Sequence, residues 1–279
     1  MRGIDQVHLA YTGAAGRKSA FDFRRSKKGK SRGIVVFAHG YKGFKDWGAW
    51  NAVSLAFADA GYDFLKFNFS HAGATVDHPI DFPDTEAFAQ NTYTKEIEDL
   101  NAIIDLCADP DGPGHPDLPI YLIGHSRGGG IGILTTAQDK RIRKLITWAS
   151  VADFGERFAF DIEKWRQEGI TFVENSRTKQ QLPHNFSFYS DYVENRELLD
   201  ITAAAKRISV SWLIVHGTAD ESVSYFDADR LNAQCPEAEL FFVRDAGHTF
   251  GAHHPWPHTE LPEPLQIVVD KTIRFLEAR

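Results

Sequence analysis

Pro119-Ile120-Tyr121-Leu122-Ile123-Gly124-His125-Ser126-Arg127-Gly128-Gly129-Gly130 is the stretch on which the organisation of the chain turns. Strand-forming residues lead directly into Gly-x-Ser-x-Gly, and a helical pattern follows. That order is the signature of a nucleophile elbow, a sharp strand-to-helix turn that lifts a serine hydroxyl above a sheet. Gly124 and Gly128 flank a serine expected to be strained, where side chains would collide with the neighbouring strand and helix. Three glycines opening a helix cost about 1 kcal/mol each relative to alanine. Such local penalties concentrate at functional sites. A phosphate-binding loop would carry Gly-Lys-Ser/Thr at this point, and the stretch does not.

Strands and helices alternate on both sides of the elbow. Gly33–Ala38 is a continuous apolar run, as for a strand covered on both faces. An amphipathic helix through Ala49–Ala58 stops at Gly61, and a second buried strand spans Tyr62–Phe69. A long polar loop, His71–Gln90, precedes a helix that begins at Thr92 and runs to Cys107. After the elbow come strands at Arg143–Ala149, Val210–Val215 and Glu239–Val243, with helices at Tyr225–Ala233 and Leu265–Leu276. This rhythm predicts an α/β fold with a mostly parallel, doubly wound sheet. Two alternating segments near the N-terminus, Gln6–Tyr11 and Lys18–Phe23, predict an antiparallel hairpin at the sheet edge. Residues 152–203 break the rhythm with charges and aromatics. They are expected to form a small cap inserted over the strand ends, with 1–151 and 204–279 as the core.

Composition narrows the function classes. With 43% hydrophobic residues the 279-residue chain can bury a sizeable core. A net charge of −7 disfavours nucleic acid or an anionic membrane as the main partner, since both want a basic face. No run approaches the roughly 20 apolar residues of a membrane span, and Met-Arg-Gly-Ile-Asp-Gln offers no signal-peptide core. A cytoplasmic protein acting on a small molecule is the expectation. Two cysteines make no disulfide framework, and Cys107 falls on the apolar side of a helical pattern.

A serine hydroxyl needs a base within hydrogen-bond reach and an acid to orient that base. Open α/β sheets gather such groups at the carboxyl ends of their strands. Asp220 follows one strand in His216-Gly217-Thr218-Ala219-Asp220, and His248 follows the next in Asp245-Ala246-Gly247-His248. Asp153, after an earlier strand, is the rival acid. His253, His254 and His258 crowd behind His248, but Pro255 and Pro257 forbid a regular helix there, and no His-Glu-x-x-His motif occurs. No metal or other cofactor is expected. Two N–H donors are needed for an oxyanion, and the backbone amides of Arg127 and of Tyr41, in His39-Gly40-Tyr41, are the candidates.

His39-Gly40-Tyr41, Gly124-His125-Ser126-Arg127-Gly128, Gly217-Thr218-Ala219-Asp220 and Gly247-His248 together resemble the α/β-hydrolase superfamily over nearly the whole chain. Within it the chain is similar to small carboxylesterases of the cinnamoyl and feruloyl esterase kind and to serine aminopeptidase-like hydrolases. The resemblance implies Ser126 as nucleophile, His248 as general base and then acid, Asp220 as orienting carboxylate, and the Tyr41 and Arg127 amides as oxyanion hole. It implies cleavage of a carboxylic ester through an acyl-enzyme. An aminopeptidase or amidase on the same triad is the first alternative, with Glu156, Glu163, Glu168, Glu174, Asp191 and Glu194 available to hold a substrate amine. A catalytically idle ligand sensor is the second. The aromatics of 152–203 either line an acyl pocket or simply pack the cap on the sheet.

Overall fold

The computed structural model describes residues 6–278; the N-terminal expectations that fall on residues 1–5 lie outside them. In chain order the strands and helices are β1 (Gln6–Thr12), β2 (Lys18–Arg24), β3 (Ile34–Ala38), α1 (Trp50–Ala60), β4 (Asp63–Phe67), α2 (Thr85–Ala89) and α3 (Tyr93–Ala108). Then follow β5 (Ile120–His125), α4 (Arg127–Thr136), β6 (Ile142–Trp148), α5 (Ile162–Glu168), β7 (Ile170–Glu174), β8 (Gln181–Asn185), α6 (Ser187–Glu194) and α7 (Ile201–Ala205). The last elements are β9 (Ser211–Gly217), α8 (Phe226–Gln234), β10 (Glu239–Val243) and α9 (Glu263–Glu277).

Eight strands form one sheet in the order β1-β2-β4-β3-β5-β6-β9-β10. The β1–β2 hairpin is antiparallel and sits at the edge, β2 joins β4 antiparallel, and every later pairing is parallel. This is the doubly wound sheet that the alternating pattern predicts. Because successive strand residues point to opposite faces, β3 divides its side chains between two cores. Ile34, Val36 and Ala38 join a cluster with Leu122, Leu145 and Ile214 under α3, α4 and α7. Val35 and Phe37 join Ile123, Ile146 and Leu213 under α1 and α9. All of these side chains are fully buried or nearly so, and each large one contributes roughly 1.5–3 kcal/mol of burial. Cys107 packs in the first core, as its helical position suggested.

Register lines up the strand ends. Ala38 lies opposite Gly124, His125 opposite Trp148, Trp148 opposite Val215, and Gly217 opposite Val243. The loops that leave β3, β5, β9 and β10 therefore emerge side by side along one rim.

Two regions differ from or refine the sequence expectation. The polar loop 71–90 contains the short α2, whose start is capped by Asp84 accepting from the Ala87 N–H at 2.9 Å. Its Phe82 and Phe88 are buried against Phe44 and Leu182. A five-residue helix is too short to show periodicity in sequence, so only its cap could have been read. Residues 152–203 fold into a 3₁₀ turn at Gly155–Arg157, then α5, the antiparallel hairpin β7–β8, α6 and the start of α7. Their aromatics divide between the two roles anticipated for them. Phe154, Phe160 and Phe188 line a cavity. Phe158 instead packs on Tyr189 and Tyr192, both at 5.2 Å, and Trp165 is buried with its Nε1–H donating to the His184 carbonyl.

Candidate active site

The elbow follows from backbone crowding. Ser126 holds φ 57°, ψ −120° between β5 and α4, a region disfavoured for L residues. A side chain on Gly124 would come within 2.3 Å of the Gly128 carbonyl oxygen, and one on Gly128 within 2.4 Å of the Ala38 carbonyl oxygen. Helix α4 is thus pressed onto β3 and β5, and only glycine permits that approach. Gly40 serves the loop after β3 in the same way, since a Cβ there would meet the Ser126 Cβ at 2.8 Å. The backbone entering Tyr41 accordingly runs beside the serine. The Arg127 N–H is at the first position of α4, where helix amides have no intrahelical acceptor.

Asp220 and His248 meet. The His248 Nδ1 lies 2.8 Å from the Asp220 Oδ2, and the aspartate side chain is fully buried. The other carboxylate oxygen accepts the N–H groups of Ser222 and Val223 at 2.8 and 2.9 Å. Burial alone would raise the Asp220 pKa. Hydrogen bonds from His216, His248 and the Val223 amide outweigh it and hold the carboxyl well below the usual range. Asp220 is therefore ionised and can only accept. It follows that His248 donates through Nδ1 and keeps the Nε2 lone pair free.

Ser126 and His248 line the same two adjoining cavities. Among the described residues no hydrogen bond joins the two side chains; hydrogen bonds between a nucleophile and its base often tighten only in the complex with substrate. The rival acid goes elsewhere: Asp153 accepts the Gly155 N–H at 2.6 Å and lies 3.8 Å from Arg230. The histidines behind the loop are also occupied otherwise. His254 accepts the Gly48 N–H through Nδ1 at 2.9 Å, and His253 and His258 pack against Trp256.

Three histidines at strand ends are held by hydrogen bonds, and two of them, His125 and His216, touch the site. His39 donates through Nδ1 to the Gly40 carbonyl and accepts the Phe69 N–H on Nε2, so it is neutral. Burial pulls its pKa down to about 4. His125 donates through Nε2 to the main-chain carbonyl of His248 at 3.0 Å, and burial, then His248, pull its pKa down to about 3. His216 is buried with Nε2 3.0 Å from the Val223 carbonyl and 3.3 Å from the Asp220 Oδ2. Its i,i+4 spacing from Asp220 across Gly217 was the only sequence trace of that contact.

The Arg127 side chain carried no sequence signal. Its guanidinium is buried, 3.3 Å from the Glu96 Oε1 and 4.0 Å from the centre of the Tyr41 ring. The Tyr41 hydroxyl shares a 2.6 Å hydrogen bond with the His184 Nε2. Burial pushes the Tyr41 phenol up to about 12 and pulls His184 down to about 3. The smaller cavity, about 290 Å³, runs past Trp47, Trp50 and His125. The larger, about 410 Å³, lies between Val151, Phe154, Phe160, Val173 and Phe188. Among the described residues no helix is long and apolar enough to cross a membrane.

Comparison with known proteins agrees with this architecture. Over 100 residues the chain is 30% identical to a monoacylglycerol lipase of Mycolicibacterium smegmatis, a match covering 36% of this chain and 31% of the lipase. The chain thus spans under a third of the length of that curated relative. Ferulic acid-bound Est1E from Butyrivibrio proteoclasticus superposes with a TM-score of 0.70 at 19% identity, over 96% of this chain and 98% of Est1E. DcsB in complex with its substrate analogue gives a TM-score of 0.73 at 13% identity, over 98% and 99% of the two chains. These likenesses show the α/β-hydrolase fold. The sequence model of the serine aminopeptidase, S33 family matches residues 29–200, well over half of the chain. With its sheet order and its strand-to-helix turn at Ser126, the protein belongs to the serine aminopeptidase, S33 family of α/β-hydrolases.

Proposed function

We propose that the chain is a serine hydrolase that cleaves carboxylic esters of small molecules through an acyl-enzyme on Ser126. The observation that carries the reading is the Asp220–His248 hydrogen bond at the rim of cavities that Ser126 and His248 both line. In this scheme the His248 Nε2 takes the Ser126 hydroxyl proton as Oγ bonds to the ester carbon, and the carbonyl electron pair moves onto oxygen. The N–H groups of Tyr41 and Arg127 receive that oxyanion. Collapse breaks the ester C–O bond, and His248 returns its proton to the leaving alcohol. Water then attacks the acyl-serine, again losing a proton to His248, and the acid departs as Ser126 recovers its hydrogen.

Residues 152–203 act as a cap in this reading, supported by Phe154, Arg157, Phe160, Val173, His184 and Phe188 lining the larger cavity. The family name raises the aminopeptidase alternative, which needs carboxylates at the cavity to hold an amine. The six candidates are engaged elsewhere: Glu156 pairs with Arg230, Glu163 with Arg166, Glu168 with Lys164 and Glu174 with Lys179. Asp191 accepts from Thr94, and with Glu194 it lines a separate cavity beside α3. A non-catalytic sensor would leave the ordered Asp220–His248 pair without a purpose.

Turnover of p-nitrophenyl butyrate tests the reading. Ser126→Ala is expected to lower kcat by about 10⁶, and mass spectrometry of the quenched wild-type enzyme should find an acyl group on Ser126. Wild-type turnover by the alanine variant would exclude the nucleophile.

A further inference from the structure

Apart from histidines, the charged side chains among the described residues that line the two cavities beside Ser126 are Lys42, Arg127, Arg157 and Arg177, all cationic. This is unexpected in a chain of net charge −7. Two of the four have carboxylate partners, Arg127 with Glu96 and Arg177 with Asp81. Among the described residues the other two form no ion pair with a carboxylate, and Lys42 lies 5.5 Å from the centre of the Tyr41 ring. The Lys42 Nζ donates to the Glu174 carbonyl at 3.3 Å, and the Arg157 Nη1 donates to the Ser222 carbonyl at 3.1 Å. Both line the larger, mainly apolar cavity that also contains Ser126 and His248.

Each of these contacts also bridges the rim of the sheet and the 152–203 segment. Lys42, in the loop after β3, reaches β7; Arg157, in the segment, reaches the loop after β9. Lys42 is held at φ 54°, a left-handed conformation that a lysine adopts only when its surroundings impose it. Burial, and next the nearby Arg127 charge, lower its pKa, and the Glu174 carboxylate offsets them only in part, which leaves the ammonium short of counter-charge. A carboxylate guest would supply that counter-charge. It would accept charge-assisted hydrogen bonds from the half-buried Lys42 and the exposed Arg157.

Resting on the ester-hydrolase reading, we infer that the larger cavity selects an acyl group ending in a carboxylate, so that the substrate is a half-ester of a short dicarboxylic acid. Lys42 and Arg157 pair with the free carboxylate, and the methylene chain lies along Phe154, Phe160 and Val173. The ester bond itself sits at Ser126.

The test compares mono-p-nitrophenyl adipate with p-nitrophenyl hexanoate, which carries a methyl group in place of the carboxylate. The adipate kcat/KM is expected to exceed that of hexanoate by about tenfold or more, an advantage that shrinks as salt is raised. In the double variant Lys42→Gln/Arg157→Gln the ratio should fall to about one. The charge-conserving Lys42→Arg/Arg157→Lys pair should keep it well above one, which separates lost charge from lost packing. A wild-type ratio of one or less, or a ratio unaffected by the glutamine pair, overturns the inference while leaving ester hydrolysis intact. Calorimetric titration of adipate into Ser126→Ala separates the two readings in the other direction. Binding that disappears with the glutamine pair, together with wild-type protein that hydrolyses neither ester, supports the anion site and sinks the hydrolase; no binding to the variant and no turnover by wild type sinks both.

Discussion

The imidazole of His125 donates from Nε2 to the main-chain carbonyl of His248 at 3.0 Å, with the two rings 4.9 Å apart. The residue just before the proposed nucleophile thereby tethers the backbone of the proposed base, across 123 positions of sequence. Strand β5 ends on this anchor, and the serine follows it directly.

Removing the tether should misplace the base without touching its chemistry. His125→Phe keeps an aromatic against Trp50, whose ring lies 5.3 Å away, but leaves the His248 carbonyl without its donor. A displacement of the base of about 1 Å costs on the order of 10² in rate. The expected result is a fall in kcat of about 10–100-fold with little change in KM. A kcat within twofold of wild type would show that the His248 loop holds itself in place.

Asp220 should matter far more than Asp153. Asp220→Asn loses the carboxylate that fixes the Nδ1–H tautomer of His248, and by analogy with other triads it should lower kcat by about 10⁴. Asp153→Asn, at the Gly155 turn and the Arg230 contact, should change kcat by no more than about twofold. Reversed outcomes would reassign the acid.

Three groups beside Ser126 should be silent in the pH profile. Asp220, held well below the usual carboxylate range, stays ionised; His39 and His125, pulled down to about 4 and about 3, stay neutral. None of the three should therefore bend the profile of log kcat/KM between roughly pH 5 and 8. NMR titration of the His39 and His125 ring protons should find neither changing charge in that range; a midpoint above roughly pH 5 for either would overturn the assignment.

Tyr41→Phe separates a main-chain role from a side-chain one. The variant loses the 2.6 Å hydrogen bond to the His184 Nε2 and leaves a buried nitrogen unpartnered, which should cost about 1–3 kcal/mol of stability in denaturant unfolding. The proposed oxyanion donor is the Tyr41 amide, which the variant retains. Its kcat should stay within about tenfold of wild type. A loss of about 10³ would transfer the oxyanion role to the phenol.

Much of this molecule could be read from local sequence signals. The apolar run Gly33–Ala38 and the elbow at Ser126 predict the middle of the sheet because strand runs and tight glycine turns are local properties. Asp220 and His248 were singled out because they follow strands, and the parallel register carries their loops to the same rim as Ser126. What stayed hidden depends on convergence. Glu96 and Arg127 lie 31 residues apart, and Tyr41 and His184 lie 143 apart, with no spacing to link either pair. Lys42 resembles any loop lysine until its place in the cavity wall beside Arg157 is seen in three dimensions. Helix α2 escaped because five residues complete barely more than one turn.

The Arg127 guanidinium over the Tyr41 ring has a mechanical consequence. The two residues whose amides are assigned to cradle the oxyanion grip one another through their side chains, and Tyr41 in turn is fastened to β8 through His184. Grafting a foreign hairpin between residues 170 and 185 to admit a new guest would therefore tug on the cradle itself. On the proposed mechanism, breadth of substrate choice and speed of turnover would be geared together, and the gear teeth would be one arginine and one tyrosine.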